Sequence, residues 1–158
     1  MREITAAAIT DCVRRLCLQA NRRLPADAEA ALRAAAENEP WPVASGILGE
    51  LCANLDAARE TELPICQDTG LVTVFAELGE DVHVSGFEEA VQEGVRRGYA
   101  EGYLRKSVVR DPLRRGNTGD NTPATIYLRL VPGDRLRLTV APKGAGSENM
   151  CAVKMLTP

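Results

Sequence analysis

The sequence contains no uninterrupted apolar run near the roughly 20 residues that a membrane helix needs, which excludes a membrane-spanning helix. Its N-terminus, MREITAAAITDC, carries acidic residues and lacks the charged-then-apolar pattern of an export signal, so a cytoplasmic location is expected. Positive charge is not in excess: 19 Lys and Arg stand against 22 Asp and Glu, a net charge of −3. Without a basic field, nucleic acid is not expected as a partner. CxxC is missing and the cysteines number five, an odd count. They read as reduced thiols, each open to a role as core residue, ligand or nucleophile. Histidine occurs once, at His83, so Ser-His or Cys-His chemistry within this chain would have to use it. No internal repeat is visible. What remains is an ordinary globular composition, 45% hydrophobic and 26% charged over 158 residues, long enough to bury a core without staples.

Residues 2–22 repeat Ile4, Ala8, Cys12, Leu16 and Ala20 at a spacing of four, the pattern of an amphipathic helix. Pro25 ends or restarts it, and the Ala/Glu-rich residues 26–38 predict a second helix. Pro42 suits the first turn of a third, reaching about Ala58 with Ile47, Leu48, Leu51 and Leu55 on one face. The region 1–60 is therefore helical and 61–158 mixed α/β. Residues 71–78, LVTVFAEL, predict a buried strand. Ser85-Gly86-Phe87-Glu88 fits a capping box that opens a helix to about Tyr103, with Phe87, Val91, Val95 and Tyr99 aligned. Residues 124–131 and 135–141 both alternate about Pro132-Gly133 and predict an antiparallel β-hairpin, with Ile126, Leu128, Leu136 and Leu138 facing the core. The expected fold class is α+β: an N-terminal helical region packed on a sheet that includes this C-terminal hairpin.

Three polar stretches interrupt the regular pattern: Pro64–Gly70, Arg105–Pro123 and Lys143–Asn149. Loops of this kind in compact domains tend to be functional or disordered. Cys66, beside Gln67, Asp68 and Thr69, is either a buried loop thiol or a sulfur presented to a metal. Cys12, Cys17 and Cys52 fall within helical patterns and read as core or surface; Cys151 stays undecided. The second stretch carries Arg105, Lys106, Arg110, Arg114 and Arg115, either a solvated basic loop or a guanidinium fork for a small dicarboxylate. Asp120 and Asn121 there can hydrogen-bond the local backbone. The glycines of KGAGSEN allow close backbone approach to an anion, although a plain turn explains them equally and the Walker spacing is absent.

Taken together and in this order, PICQDTG, NTGDNTPA and KGAGSEN resemble the α subunit, or N-terminal half, of the iron–sulfur hydro-lyases, the class I fumarase and L(+)-tartrate dehydratase family. The resemblance implies a [4Fe–4S] cluster held by three cysteines, of which Cys66 is one, leaving one iron open to substrate. It implies that Gln67 and Asp68 line the substrate pocket, that Asp68 acts in catalysis and also orients a histidine supplied from elsewhere, that Arg105 clamps a carboxylate, and that Gly144 gives a backbone contact. The family's other two cluster cysteines follow the KGxGSEN loop. Cys151 matches neither, and Cys12, Cys17 and Cys52 match no ligand position, so one ligand position of three is represented.

The resemblance thus implies part of a hydro-lyase that reversibly hydrates a small dicarboxylate, fumarate to malate or tartrate to oxaloacetate. Its partners would be the substrate, the remainder of the α subunit, and a β subunit or C-terminal domain, in a homo-oligomer. Residues 1–158 alone are expected to hold no intact cluster and to be inactive. The alternative is a non-catalytic assembly or dimerisation domain. A cysteine-redox domain built on Cys66 lacks a resolving cysteine nearby in sequence.

Overall fold

A computed structural model describes residues 1–144, 146 and 152–156. A two-residue strand β1 (Arg2–Glu3) precedes helix α1 (Ala6–Arg22), α2 (Ala26–Asn38) and α3 (Pro42–Thr61). Then come β2 (Leu71–Gly79), β3 (Val82–His83), α4 (Phe87–Glu101), β4 (Thr125–Val131) and β5 (Leu136–Lys143). The class is α+β, as expected. Helix α1 starts later than the periodicity suggests because Thr5 caps it, its hydroxyl accepting the Ala8 N–H at 3.2 Å. The residues before the cap instead pair in parallel with β3.

The expected hairpin does not form. The strands 125–131 and 136–143 exist, but β2 lies between them in the order β4-β2-β5, parallel to β4 and antiparallel to β5. The turn passes over the end of β2: Gly79 N–H donates to Arg135 O at 2.8 Å, Glu80 N–H to Val131 O at 2.9 Å and Asp81 N–H to Gly133 O at 3.0 Å. Four residues reach up to roughly 13 Å, enough to cross the roughly 10 Å between next-but-one strands. The succession β2-α4-β4 is a strand–helix–strand unit, the connection that parallel pairing requires.

One face of this sheet carries the core. Val72 and Val74 of β2 meet Ile9, Val13 and Cys17 of α1 and Ala90, Val91, Val95 and Tyr99 of α4, and Ala76 of β2 is buried as well. Ile126, Leu136 and Leu138 pack against this cluster as expected. Leu128 does not: on the edge strand β4 it is 52% exposed, because α1 lies over β5 and leaves that edge uncovered. Strand β2 is buried on one face only. On the other, Phe75 and Tyr127 stack with ring centroids 5.3 Å apart, both open to solvent.

Helices α1 and α4 approach closely. A Cβ added at Gly94 would sit 2.7 Å from the Val13 Cβ and 2.8 Å from Thr10 O. A second close approach occurs one turn later, where a Cβ on Gly98 would be 2.9 Å from that of Cys17. The capping box is also corrected: Gly86, with φ 66°, caps α4 without a side-chain bond, and Ser85 faces His83 Nε2 at 3.3 Å. In α3 the expected stripe divides: Leu55 is buried, while Ile47 and Leu51 are exposed. No helix among the described residues is long and apolar enough to cross a membrane.

Candidate functional site

The loop between α3 and β2 is pinned at Ile65. Its N–H donates to Asn21 O at the end of α1, and its carbonyl accepts from Asn54 Nδ2 on α3, both at 2.9 Å. The next residue, Cys66, is exposed, as is Gln67. The Asp68 N–H points at the Cys66 Sγ from 3.4 Å, and that sulfur lies 3.4 Å from Gln67 Oε1. Asp68 is half-buried and held by two backbone donors: Gly70 N–H on Oδ1 and Gly146 N–H on Oδ2, each at 3.2 Å. Thr69 and Gly70 are buried.

The three polar stretches converge here. Thr69 Oγ1 donates to Arg105 O at 2.8 Å, so the Arg105 backbone adjoins the Cys66 loop while its side chain is exposed. Gly70, at φ 77°, runs against the Lys143 backbone, where a Cβ would meet the carbonyl carbon and oxygen at 2.6 Å. Gly144 borders Asp68, since a Cβ there would be 3.2 Å from Asp68 Oδ2. Ala145, the stretch from Ser147 to Asn149, and Cys151 lie outside the described residues.

The Arg105–Pro123 stretch is ordered at its base and solvated at its tip. Asn117 Nδ2 donates to Lys106 O at 2.9 Å, and Val109 bridges Asn117. Arg110, Arg114 and Arg115 are exposed. Partial burial pushes the Asp120 carboxyl up. The Thr122 N–H and hydroxyl and the Arg96 guanidinium more than offset this and hold it at about 2. Asn121 and Tyr99 belong to the site's frame and were not singled out for it by sequence pattern. Asn121 reads as a local turn residue, yet its partners are distant in sequence. Tyr99 reads as one member of an apolar helix stripe, yet its buried hydroxyl donates to Thr69 O.

Among the described residues the site is an open groove. A groove of about 170 Å³, lined by Asn21, Leu24, Ile65, Cys66, Asp68 and Pro142 among others, lies beside the thiol. Closed ligand sites begin near 300 Å³. A larger groove of about 430 Å³ adjoins it but is lined by α1, Pro25 and β5, without Cys66 or Asp68. An exposed thiol with a backbone N–H aimed at its sulfur suits one ligand of an iron–sulfur cluster, whose sulfurs accept such bonds. Among the described residues no group of three His, Cys, Asp or Glu could complete a metal site.

Comparison with known proteins defines the class. The family model described as Fumarate hydratase (Fumerase) matches residues 10–158. A protein of Methanocaldococcus jannaschii, named as an L(+)-tartrate dehydratase subunit alpha, is 37% identical over 158 residues, covering 95% of this chain and 55% of the relative. The aerobic class I fumarate hydratase of Salmonella typhimurium is 39% identical over 99 residues, 61% of this chain and 17% of that enzyme. Fumarate hydratase 2 of Leishmania major is 35% identical over 118 residues, 73% of this chain and 20% of that protein. These are hydro-lyases, and the chain belongs to the fumarate hydratase (Fumerase) family. It spans about half the length of the tartrate dehydratase subunit and a fifth or less of the two fumarate hydratases.

Proposed function

We propose that this chain forms one wall of the active site of an iron–sulfur-dependent hydro-lyase that reversibly adds water across the double bond of a small dicarboxylate. Fumarate/malate and tartrate/oxaloacetate are the substrate pairs, in keeping with the names of its relatives. The observation that carries the reading is the convergence of Cys66, Asp68, Gly144 and the Arg105 backbone through contacts of loops far apart in sequence.

In this reading Cys66 is one of three thiolate ligands, the other two coming from the remainder of the α subunit. The cluster, when bound, supplies a Lewis-acidic iron that polarises substrate oxygens. The rest falls to protein groups. Arg105 offers five donors in a planar fork to the carboxylate away from the cluster. Gln67 donates and accepts through one amide, matching a hydroxyl and a carboxylate oxygen side by side. Asp68, its carboxylate oriented by Gly70 and Gly146, positions a histidine from the remainder of the protein for proton transfer. Gly144, beside Asp68, gives the substrate a backbone contact. A β subunit or C-terminal domain supplies the opposite wall, in a cytoplasmic homo-oligomer. Residues 1–158 alone, holding one ligand position, take up no intact cluster and show no turnover.

The test uses the complete protein after anaerobic cluster reconstitution. Cys66→Ser is expected to lose stoichiometric iron and sulfide together with fumarate hydration. Arg105→Ala is expected to keep the cluster and raise KM by roughly 10–100-fold, the range for a lost charged hydrogen bond. A normal cluster in the first variant, or an unchanged KM in the second, contradicts the assignment. Stoichiometric cluster uptake by residues 1–158 alone contradicts the partial-site reading.

A further inference from the structure

We infer that Asn121 is a positioning residue that sets the separation between the Cys66–Asp68 side of the site and the Arg105 side. Asn121 is fully buried, in the left-handed region at φ 62°. Its side chain is spent on backbone groups at the start of its own stretch and at the end of the Cys66 loop. Oδ1 accepts the N–H of Ser107 at 2.7 Å and of Val108 at 3.2 Å, and Nδ2 donates to Gly70 O at 3.1 Å. One planar amide therefore bolts the residues just after Arg105 to the residue that closes the Cys66 loop. Three of its four hydrogen-bonding positions serve this link. The Tyr99 hydroxyl, which donates to Thr69 O, lies 3.3 Å from the same Gly70 carbonyl oxygen on the core side.

Only an amide can do this in place. A carboxylate keeps the acceptor for Ser107 and Val108 but turns an oxygen toward Gly70 O, where a donor is required. The catalytic consequence rests on the hydro-lyase reading: a dicarboxylate bridging Cys66's metal and Arg105 has a fixed length. A displacement of about 1 Å between the two ends costs up to about 100-fold in rate. The bolt itself is a property of this chain and stands apart from that reading.

The test separates the two. Asn121→Asp keeps the acceptor but replaces the donor with a charged oxygen, and Asn121→Gly removes the side chain while its backbone accepts a positive φ without strain. Segment-resolved amide hydrogen exchange is read on residues 66–72, 105–109 and 90–98. Asn121→Asp is expected to speed exchange in 66–72 at least about tenfold, with 105–109 protected as in the wild type. Asn121→Gly is expected to loosen both loops and leave 90–98 unchanged, which also covers failure of the charged variant to fold. In the complete, cluster-loaded enzyme, Asn121→Gly lowers kcat/KM for fumarate by roughly 10–100-fold at unchanged iron content. Equal acceleration in all three segments, or unchanged exchange in 66–72, overturns the inference. Loosened loops with no hydration activity even in the wild type would sink the hydro-lyase reading and leave the bolt standing.

Discussion

Four cysteines of known surroundings differ in the physics that governs their reactivity. Cys66 is exposed in a loop, Cys12 and Cys52 are half-buried on helices, and Cys17 is buried between α1 and α4. Burial pushes the Cys17 thiol up to about 12, because the thiolate would have to form in an apolar core. The thiolate is the reacting species, so exposure and ionisation act together. Alkylation of the metal-free protein near neutral pH, followed by peptide mapping, is expected to modify Cys66 first, Cys12 and Cys52 more slowly, and Cys17 only on unfolding. Modification of Cys12 ahead of Cys66 would count against Cys66 as the presented ligand. At this scale the motif residues were legible, since thiol, amide, carboxylate and glycine carry their chemistry in their identity. Asn121 was not, because its partners lie 13 to 51 residues away.

Among the elements, the α1–α4 pair shows how composition sets geometry. Gly94 and Gly98 lie one turn apart, and their missing side chains let Val13 and Cys17 close onto the α4 backbone. Thr10 Oγ1 then reaches Ala90 O at 3.0 Å. Gly94→Ala would gain helix propensity but place its Cβ inside contact distance of Val13 and the Thr10 carbonyl, forcing the helices apart. The expected net effect is a loss of about 1–3 kcal/mol, the range for overpacking. Urea unfolding with an unchanged m-value and a lowered midpoint would report it; a midpoint at or above the wild type would show that the pair relaxes freely. The Phe87/Val91/Val95/Tyr99 alignment was read correctly from the sequence because a packed helix face repeats at its own period. The pairing of β4 with β5 was misread, because alternation reports which face a residue takes and says nothing of the neighbouring strand.

For the molecule as a whole, burial is uneven. The core joins α1, α4 and the sheet, while α2 buries no residue fully and α3 only Leu55 and Ala58. Helices α2 and α3 are joined by an ionic network: Arg33 bonds Glu29 at 2.9 Å and Asp56 at 2.6 Å, and Arg59 bonds Glu29 at 2.7 Å. Such partly exposed pairs add little stability, typically under about 1 kcal/mol each. Residues 26–50 are therefore expected to open at lower free energy than the core helices. Native-state hydrogen exchange should show faster opening there than in 9–17 and 90–99, and Glu29→Gln should widen the gap. Equal protection in both regions would mean that the helical hairpin unfolds only with the core.

The sequence by itself determined the helices, the three strands of the sheet, the α+β class and the three polar loops that meet at the candidate site. Each of these is written in short-range periodicity, in turn residues or in side-chain identity. Tertiary structure alone decided that β2 enters between β4 and β5, that Leu128 stays open on an edge, and that Asn121 and Tyr99 frame the site. Those outcomes depend on which backbone donors meet which acceptors across tens of residues, and on which faces α1 and α4 cover. Local pattern constrains neither, since a strand's alternation is the same whichever neighbour it pairs with, and an asparagine in a turn looks the same whether its amide closes that turn or reaches another loop.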